Sequence, residues 1–555
     1  MRLRHLCISL VAMVSCVLLH AQTGDTLKDE RFSLHGQATV ISQYKPSFRA
    51  SYSGANSLVS EAETKRSLTA TLFCGIRLWS GGGFFASPEI SGGSGLSSSL
   101  GVGASTNGEA YRVDSPAPSF ELGRLYFTQI VALTKHTDYQ CDDINKLGGA
   151  VPTEYLALTI GKICVSDFFD ANRYSHDSRT QFMSWGLMSN GAWDFAANTK
   201  GYTPSVVIEW VTPHDALRYG VSLLPKVANG MEMNWHLRQS SSHSIEYTHN
   251  YSWRGKKGSI RLFSFINWAG MGNYEESLRL NPSSPDLAKT EKSGRTKYGF
   301  GVNAEQELND FMGVFFRAGW NDGHNETWAF TEIDRTLSAG LSANGSKWHR
   351  KSDTVGLAYV VSALSGSHRD YLKAGGRGFE LGDGRLNYGL ENLSELYYSF
   401  ALKDHLFLSG AYQLIINPGY NFNFNNRSTD HILEAGLSYL LPFRKCPINL
   451  SWYTMFWGHD KKPNCNNVLV NAYSSYAEIS SPLEVQNTTL LFALGFSPFE
   501  SPANYKNAGF AVTNISIKAS RNIRINDKYS LPIFTQLVWN PNREDVHFVF
   551  GITLQ

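Results

Sequence analysis

Past residue 21 the sequence has no apolar run close to the roughly 18 residues that a spanning helix needs. A membrane location would therefore require a closed β-barrel, because lipid leaves no unpaired backbone unpunished. Cysteine is scarce: seven in 555 residues, two of them in the first 21. The other five, at 74, 141, 164, 446 and 465, are scattered, and no Cys-x-x-Cys spacing marks a zinc site. A Cys446–Cys465 disulfide across one hairpin is open, since sequence does not fix pairing. Net charge is also missing. Leaving out Arg2 and Arg4 of the leader, 48 basic residues face 48 acidic ones, which argues against a nucleic-acid binder. There is no Gly-x-Ser-x-Gly elbow, no phosphate loop and no His-Glu-x-x-His, and His405, His431 and His547 have no Ser at a diagnostic spacing. These absences point away from an enzyme, and no cofactor or metal is expected. Asp167, Asp170, Asn172 and Asp177 could offer hard oxygens to Ca²⁺, but in no EF-hand order, and Asx-turns explain them better.

What is present is β pattern. Met1 to Ala21 reads as a signal peptide: Arg2 and Arg4 precede a short apolar block, Leu6 to Leu19. Mean hydropathy is −0.25 with 13% aromatic residues, the bland average of alternating lipid-facing and water-facing positions, although a secreted β-sandwich would look similar. The stretch Val314 to Val361 is typical. Phe315, Arg317 and Gly319 fall on one strand face, and Val314, Phe316, Ala318 and Trp320 on the other. Turns at Asn321-Asp322-Gly323 and Asn344-Gly345-Ser346 separate this run from Thr327 to Ala343 and Thr354 to Val361. About 22 such strands can be marked along the chain. Ser91 to Ser105 reads as a long loop, and Gly82 to Arg112 as a segment able to fold inward and block a lumen. Asp167 to Thr203 is too long and polar for a hairpin turn. At the C-terminus Val546, Phe548, Phe550, Ile552 and Leu554 alternate without a break. The expected fold is all-β: a single transmembrane antiparallel barrel of 16 or more strands, up to about 22.

Several stretches resemble the carbohydrate-selective porins of the OprB type. They are His35-Gly-Gln, Tyr52-Ser-Gly-Ala-Asn-Ser-Leu58, Leu78-Trp-Ser-Gly81, Pro88-Glu89, Asn107-Gly-Glu-Ala110, and Gly161-Lys162 with Asp167-Phe-Phe-Asp-Ala-Asn-Arg-Tyr174. Gly201-Tyr-Thr203, Thr331-Glu-Ile-Asp-Arg335, Gly382-Asp-Gly-Arg-Leu-Asn-Tyr388 and Asn417-Pro-Gly-Tyr-Asn421 follow in family order. The resemblance spans roughly residues 34 to 441. It implies a 16-stranded outer-membrane pore for small sugars, with outer-membrane lipid and lipopolysaccharide around it. Tyr453 to Gln555 resembles the closing strands of Bacteroidetes-type barrels. Residues 442–555 are thus expected as additional closing strands of one barrel covering 22–555, since six strands fall short of the smallest membrane barrels, at about eight.

Arg77, Arg124 and Arg317 each sit opposite an apolar row, so the lumen is their cheaper side. There a guanidinium would favour anions locally or grip sugar hydroxyls. Glu89, Glu109 and Asp334 are candidate acidic partners. Trp320, Trp328, Trp348, Tyr388 and Tyr420 lie near turns. Girdle positions suit most of them, and Trp348 is the first choice for a sugar contact. A structural or adhesive barrel without an open pore, or a secreted all-β binding module, are the alternatives.

Overall fold

In the computed structural model the described residues are 13–16, 29–48, 54–110, 117–382, 384, 386–403, 405–421, 432–441, 443, 447–458, 460–464, 469–485, 488–502, 504–526 and 529–552. His431, Cys446, Cys465 and most of the leader lie outside them. The chain forms two compact units, one dominated by residues 8–423 and the other by 424–555.

The larger unit carries a 16-stranded antiparallel sheet. Fifteen strands follow one another in chain order, from Phe32–Lys45 to Leu406–Ile416. A short strand, Met13–Cys16, pairs with Leu406–Ser409 at the last edge. The two ends of the sheet come together. Gln43 of the first of the fifteen strands and Gln413 of the last both donate to the carbonyl of Thr106, at 3.3 and 2.9 Å. A sheet whose twist brings its ends to one atom has curled round on itself.

Connections alternate in length. At one end they are tight: residues 80–81, 212–214, 254–255, 310–311, 346–349 and 404–405. Arg254 and Gly255, both at positive φ (53° and 74°), make the two-residue hairpin that suits strand twist. At the other end the links are long: residues 46–62, 94–118, 164–202, 223–240, 270–294, 322–334 and 364–390. One link at the tight end is longer and carries its own ribbon, Thr137–Gln140 paired with Gly149–Pro152.

The two faces of the sheet are inverted relative to a soluble protein. Leu262 is 52% exposed while its neighbour Phe263 is 5%. Phe316 is likewise open, and Phe315 and Arg317 are buried. Leu72, Leu125, Ile208, Leu357 and Leu414 extend the open apolar face from strand to strand. Long loops cover the other, mostly polar face. Apolar outside and polar inside is the pattern of a wall in lipid. Trp79, Trp210, Trp253 and Trp348 stand exposed near the tight-turn end, as an interfacial belt would.

Three expectations change. Gly82–Gly93 is a strand, not part of a loop. Pro88 sits at a β-bulge of this strand, where its missing N–H costs no ladder bond. The strand expected from Thr327 begins only at Arg335, because residues 322–334 form a buried loop. Trp328 and Tyr420 are packed inside loops, at 2% and 0% exposure, and are not girdle residues.

The smaller unit holds a seven-stranded antiparallel sheet from Ile432–Leu441 to Asp545–Ile552. Apolar residues alternate along its strands too, although both faces of the two edge strands are open. Leu450, Ile479, Leu494, Ile515, Trp539 and Val546 occupy successive register positions along one open row.

Leu262→Arg places a charge on the open apolar face and should cost about 2–4 kcal/mol if it lies near mid-membrane. The mutant should lose most of its heat-modifiable folded band in outer-membrane fractions, while Ser264→Arg, on the same face but nearer the long-loop end, should lose less. Equal yields would show that depth in lipid does not set the cost.

Candidate functional site

Loops 94–110, 164–202 and 322–334 lie against the covered face, and the strands hold them mainly through carboxylates. A loop drawn into an interior brings backbone N–H groups that must be paired. Glu391 accepts from Gly103 and Ala104 N–H at 3.1 and 2.8 Å. Glu395, on the same strand, accepts from Met183 and Ser184 N–H at 2.7 and 3.1 Å. Glu246 accepts from Asp170 N–H and Glu305 from Arg173 N–H, each at 2.6 Å. Small residues on the wall make the room: a Cβ at Gly319 would fall 2.0 Å from the Asn190 amide, and one at Gly313 equally close to the Tyr174 ring.

Arg317 is the cationic counterpart of these grips. It is fully buried, pairs with Asp170 at 3.1 Å, and donates to the carbonyls of Leu187 (2.9 Å) and Ser175 (2.7 Å). Asp170 also accepts from Asn190 N–H at 2.7 Å. Asn172 caps Tyr174 and Ser175, and Asp177 caps Arg179, so these acidic and amide groups serve the loop's own turns.

Between the loops and the wall lies a cavity of about 260 Å³. Two ion clusters border it. Arg124 grips Asp167 with two parallel bonds, 2.7 and 2.8 Å. Arg179 meets Glu109 at 2.8 Å and Glu89 at 3.2 Å, and adds the Thr71 hydroxyl at 3.0 Å. Burial works against ionisation of Glu109, but Arg179 and the Ser178 hydroxyl hold its carboxyl below the usual glutamate range. Tyr202 donates to Glu89 at 3.0 Å and lies under the Arg124 guanidinium, 5.4 Å from ring centre. The remaining border is aromatic: Trp185 and Phe330 stack at 5.0 Å and 21°, with Phe195 4.1 Å from Phe330.

The structure therefore brings Glu109 and Arg124 to one cavity, sets Glu89 behind it on Arg179 and Tyr202, and disperses the other four candidates. Arg77 lies on the covered face at the tight-turn end, donating to the carbonyls of Glu30 (3.0 Å) and Gly148 (2.9 Å). Arg317 is sealed beneath loop 164–202. Asp334 is buried among the long loops, against His368 at 2.9 Å and Lys297 at 3.6 Å. Burial opposes its charge, but the contacts with His368 and Lys297 hold it well below the ordinary aspartate value. Trp348 lies in a tight turn, its indole donating to Tyr398 at 3.0 Å, away from the cavity. Arg179, Trp185, Tyr202 and Phe330 were not singled out from sequence. The available signal was aromatic density: Phe182, Trp185, Trp193 and Phe195 crowd a segment that could not be a simple turn.

Arg317→Ala strips Asp170 of its buried partner and should cost about 3–5 kcal/mol. The thermal unfolding midpoint should drop and open-channel conductance should rise as loop 164–202 loosens; an unchanged midpoint would deny Arg317 its anchoring role. Glu326, in the long loop 322–334, is pushed up to about 7 by burial. The folded form then binds the extra proton between an ordinary value near 4.3 and about 7, so stability falls as pH rises through that window. Glu326→Gln should flatten the fall in a series of melting curves; an identical slope would assign it elsewhere.

The model of the carbohydrate-selective porin, OprB family, matches residues 62–437. Among solved structures, the high-pH form of Pseudomonas putida OprB is 16% identical, covers 70% of this chain and 90% of its own, and superposes with a TM-score of 0.53. Its low-pH form gives 0.35 at 11% identity, over 69% of this chain and 91% of its own. Pseudomonas aeruginosa OccK8 (OprE) gives 0.33 at 10% identity, over 70% and 98%. No curated protein matches the chain. A family match over more than half the chain, on a curled sheet with an apolar exterior and a loop-narrowed interior, settles the identity: this chain belongs to the carbohydrate-selective porin, OprB family, and is an outer-membrane porin for small carbohydrates.

Proposed function

We propose that uncharged sugars are the preferred cargo and that they pass along the cavity bordered by the Trp185–Phe330 stack and the Arg124 and Arg179 clusters. The balance of charge carries this reading. Arg124, Arg179 and Lys200 border the cavity, and so do Glu109, Asp167 and Asp177. Each guanidinium already has a carboxylate within 2.8 Å. An entering anion would meet those carboxylates as well as the cations, so the expectation that the arginines make the pore anion-selective gives way to the other use, hydroxyl recognition. Paired ions still present N–H donors and oxygen acceptors at their edges, the complement of a polyol. Aromatic faces suit the apolar C–H side of a sugar ring. The chain acts as a channel, with no covalent step.

The reading extends to the surroundings. Residues 1–21 are a signal peptide removed on export, which takes Met13–Cys16 out of the mature sheet and leaves its fifteen strands from Phe32–Lys45 to Leu406–Ile416. The open apolar rows face outer-membrane lipid, with lipopolysaccharide at the long-loop side. Residues 442–555 are proposed as additional closing strands of the same barrel, because their apolar residues alternate along the strands and a seven-stranded sheet falls below the roughly eight of the smallest membrane barrels. Phe550→Arg, on the open row, should then impair outer-membrane assembly far more than Val549→Arg on the opposite face. Equal assembly of the two would remove these strands from the wall.

Planar-bilayer recording tests the cargo. A neutral hexose oligosaccharide should reduce single-channel current in a saturable way, and a uronate of equal length should do so more weakly. Tighter block by the uronate would overturn the preference for neutral sugars, and absence of any conductance would favour a closed barrel.

A further inference from the structure

We infer that Asp194, which does not border the cavity, is a positioning residue that sets sugar selectivity by holding Phe330 against Trp185; this rests on the cargo reading above. Asp194 lies in loop 164–202 and is 2% exposed. Its carboxylate accepts three successive backbone N–H groups of the neighbouring loop: Trp328 at 2.9 Å, Ala329 at 2.8 Å and Phe330 at 3.2 Å. Consecutive N–H groups turned toward one anion form a nest. Here the anion belongs to the protein, so the nest fastens one loop to the other.

Both parties are themselves fixed. The Asp194 carbonyl accepts from the Asn267 amide of the wall at 2.7 Å. The Trp328 indole donates to the Pro225 carbonyl at 2.8 Å, and the Thr331 hydroxyl to the Gly191 carbonyl at 2.7 Å. Phe330 follows directly from this fastening. Its N–H is one of the three bonds, and its ring lies 5.0 Å from Trp185. The Trp185 side of the stack is seated separately. Glu395 holds the preceding Met183 and Ser184, and Trp185 N–H donates to the Ser105 carbonyl at 3.1 Å. The spacing of the two rings is therefore decided by carboxylates set back from the lumen. Loss of the Asp194 carboxylate would orphan three buried N–H groups, and residues 328–330 would have to shift to recover them. A stack displaced by an ångström no longer offers a sugar ring a continuous face.

The test uses the full-length porin in planar bilayers, with heat-modifiable migration confirming a folded barrel. Asp194→Ala should raise the half-blocking concentration of a neutral hexose oligosaccharide at least fivefold. Asp194→Asn keeps one acceptor oxygen and should fall between it and the parent, which also covers the case in which the alanine variant does not assemble. Phe330→Leu should weaken block comparably, and Asp194→Ala combined with Phe330→Leu should add little, because both act on one contact. A structure of the Asp194→Asn variant should show Phe330 displaced from Trp185. Block unchanged in both Asp194 variants, additive losses in the double variant, or weakened block with the ring pair undisturbed would each overturn the inference. If the parent shows no sugar block at all, the cargo reading fails, and the ring displacement alone then decides whether Asp194 positions Phe330.

Discussion

The structure depends on one demand: polypeptide folded into the interior of a barrel must have its N–H groups paired. A curled sheet of this width encloses more space than its own side chains fill. Loops narrow it, and each residue they bring carries a donor and an acceptor that have left water. The wall answers with carboxylates, Glu246, Glu305, Glu391 and Glu395, each accepting from loop N–H groups. A buried carboxylate is costly alone, but a hydrogen bond to a charged group contributes about 1.5–3 kcal/mol, and Glu391 and Glu395 each receive at least two from loop backbone. Arg317 completes the scheme from the opposite sign, taking the carbonyls that the carboxylates cannot. The narrow part of the pore is thus as rigid as its wall, which separates it from a gate formed by a mobile lid.

The same demand explains why the charged residues at the cavity come in closed pairs. Arg124 with Asp167 and Arg179 with Glu109 lie where solvent is thinned, and an unpaired ion there would be penalised. Pairing keeps the ions in place and leaves little net field for the lumen. Discrimination then falls to hydrogen-bond geometry and to the aromatic stack, terms that distinguish polyols from one another better than they distinguish ions.

Much of this was legible in residue order, and the limits follow from physics. Strand alternation is local, so the opposite facing of Phe315 with Arg317 and of Phe316 could be read directly. The unusual length of the segment after Val165 was also visible. What could not be read was the partner of each polar residue. Arg317 and Asp170 are 147 positions apart in the chain, and nothing local shows that a lumen-facing arginine will be spent on a loop. The family-like stretches take on a physical meaning here. Pro88-Glu89, Asp167 to Tyr174, Gly201 to Thr203, Thr331 to Arg335 and Asn417 to Asn421 hold Glu89, Asp170, Tyr202, Glu332 and Tyr420, all buried groups that tie loops together.

The grips of Glu391 and Glu395 bear on the order of assembly. They join loop residues to a strand 211 to 288 positions later in the sequence. Contacts of such separation form late, because the intervening chain must be ordered first. Glu246, Glu305 and Arg317 can seat part of loop 164–202 earlier, but residues 103–104 and 183–184 have no seat until the strand Glu391–Lys403 has joined the sheet. A nascent barrel halted before that step would be wide and leaky, and its constriction would arise in the final stage of folding, when the last strands deliver the acceptors.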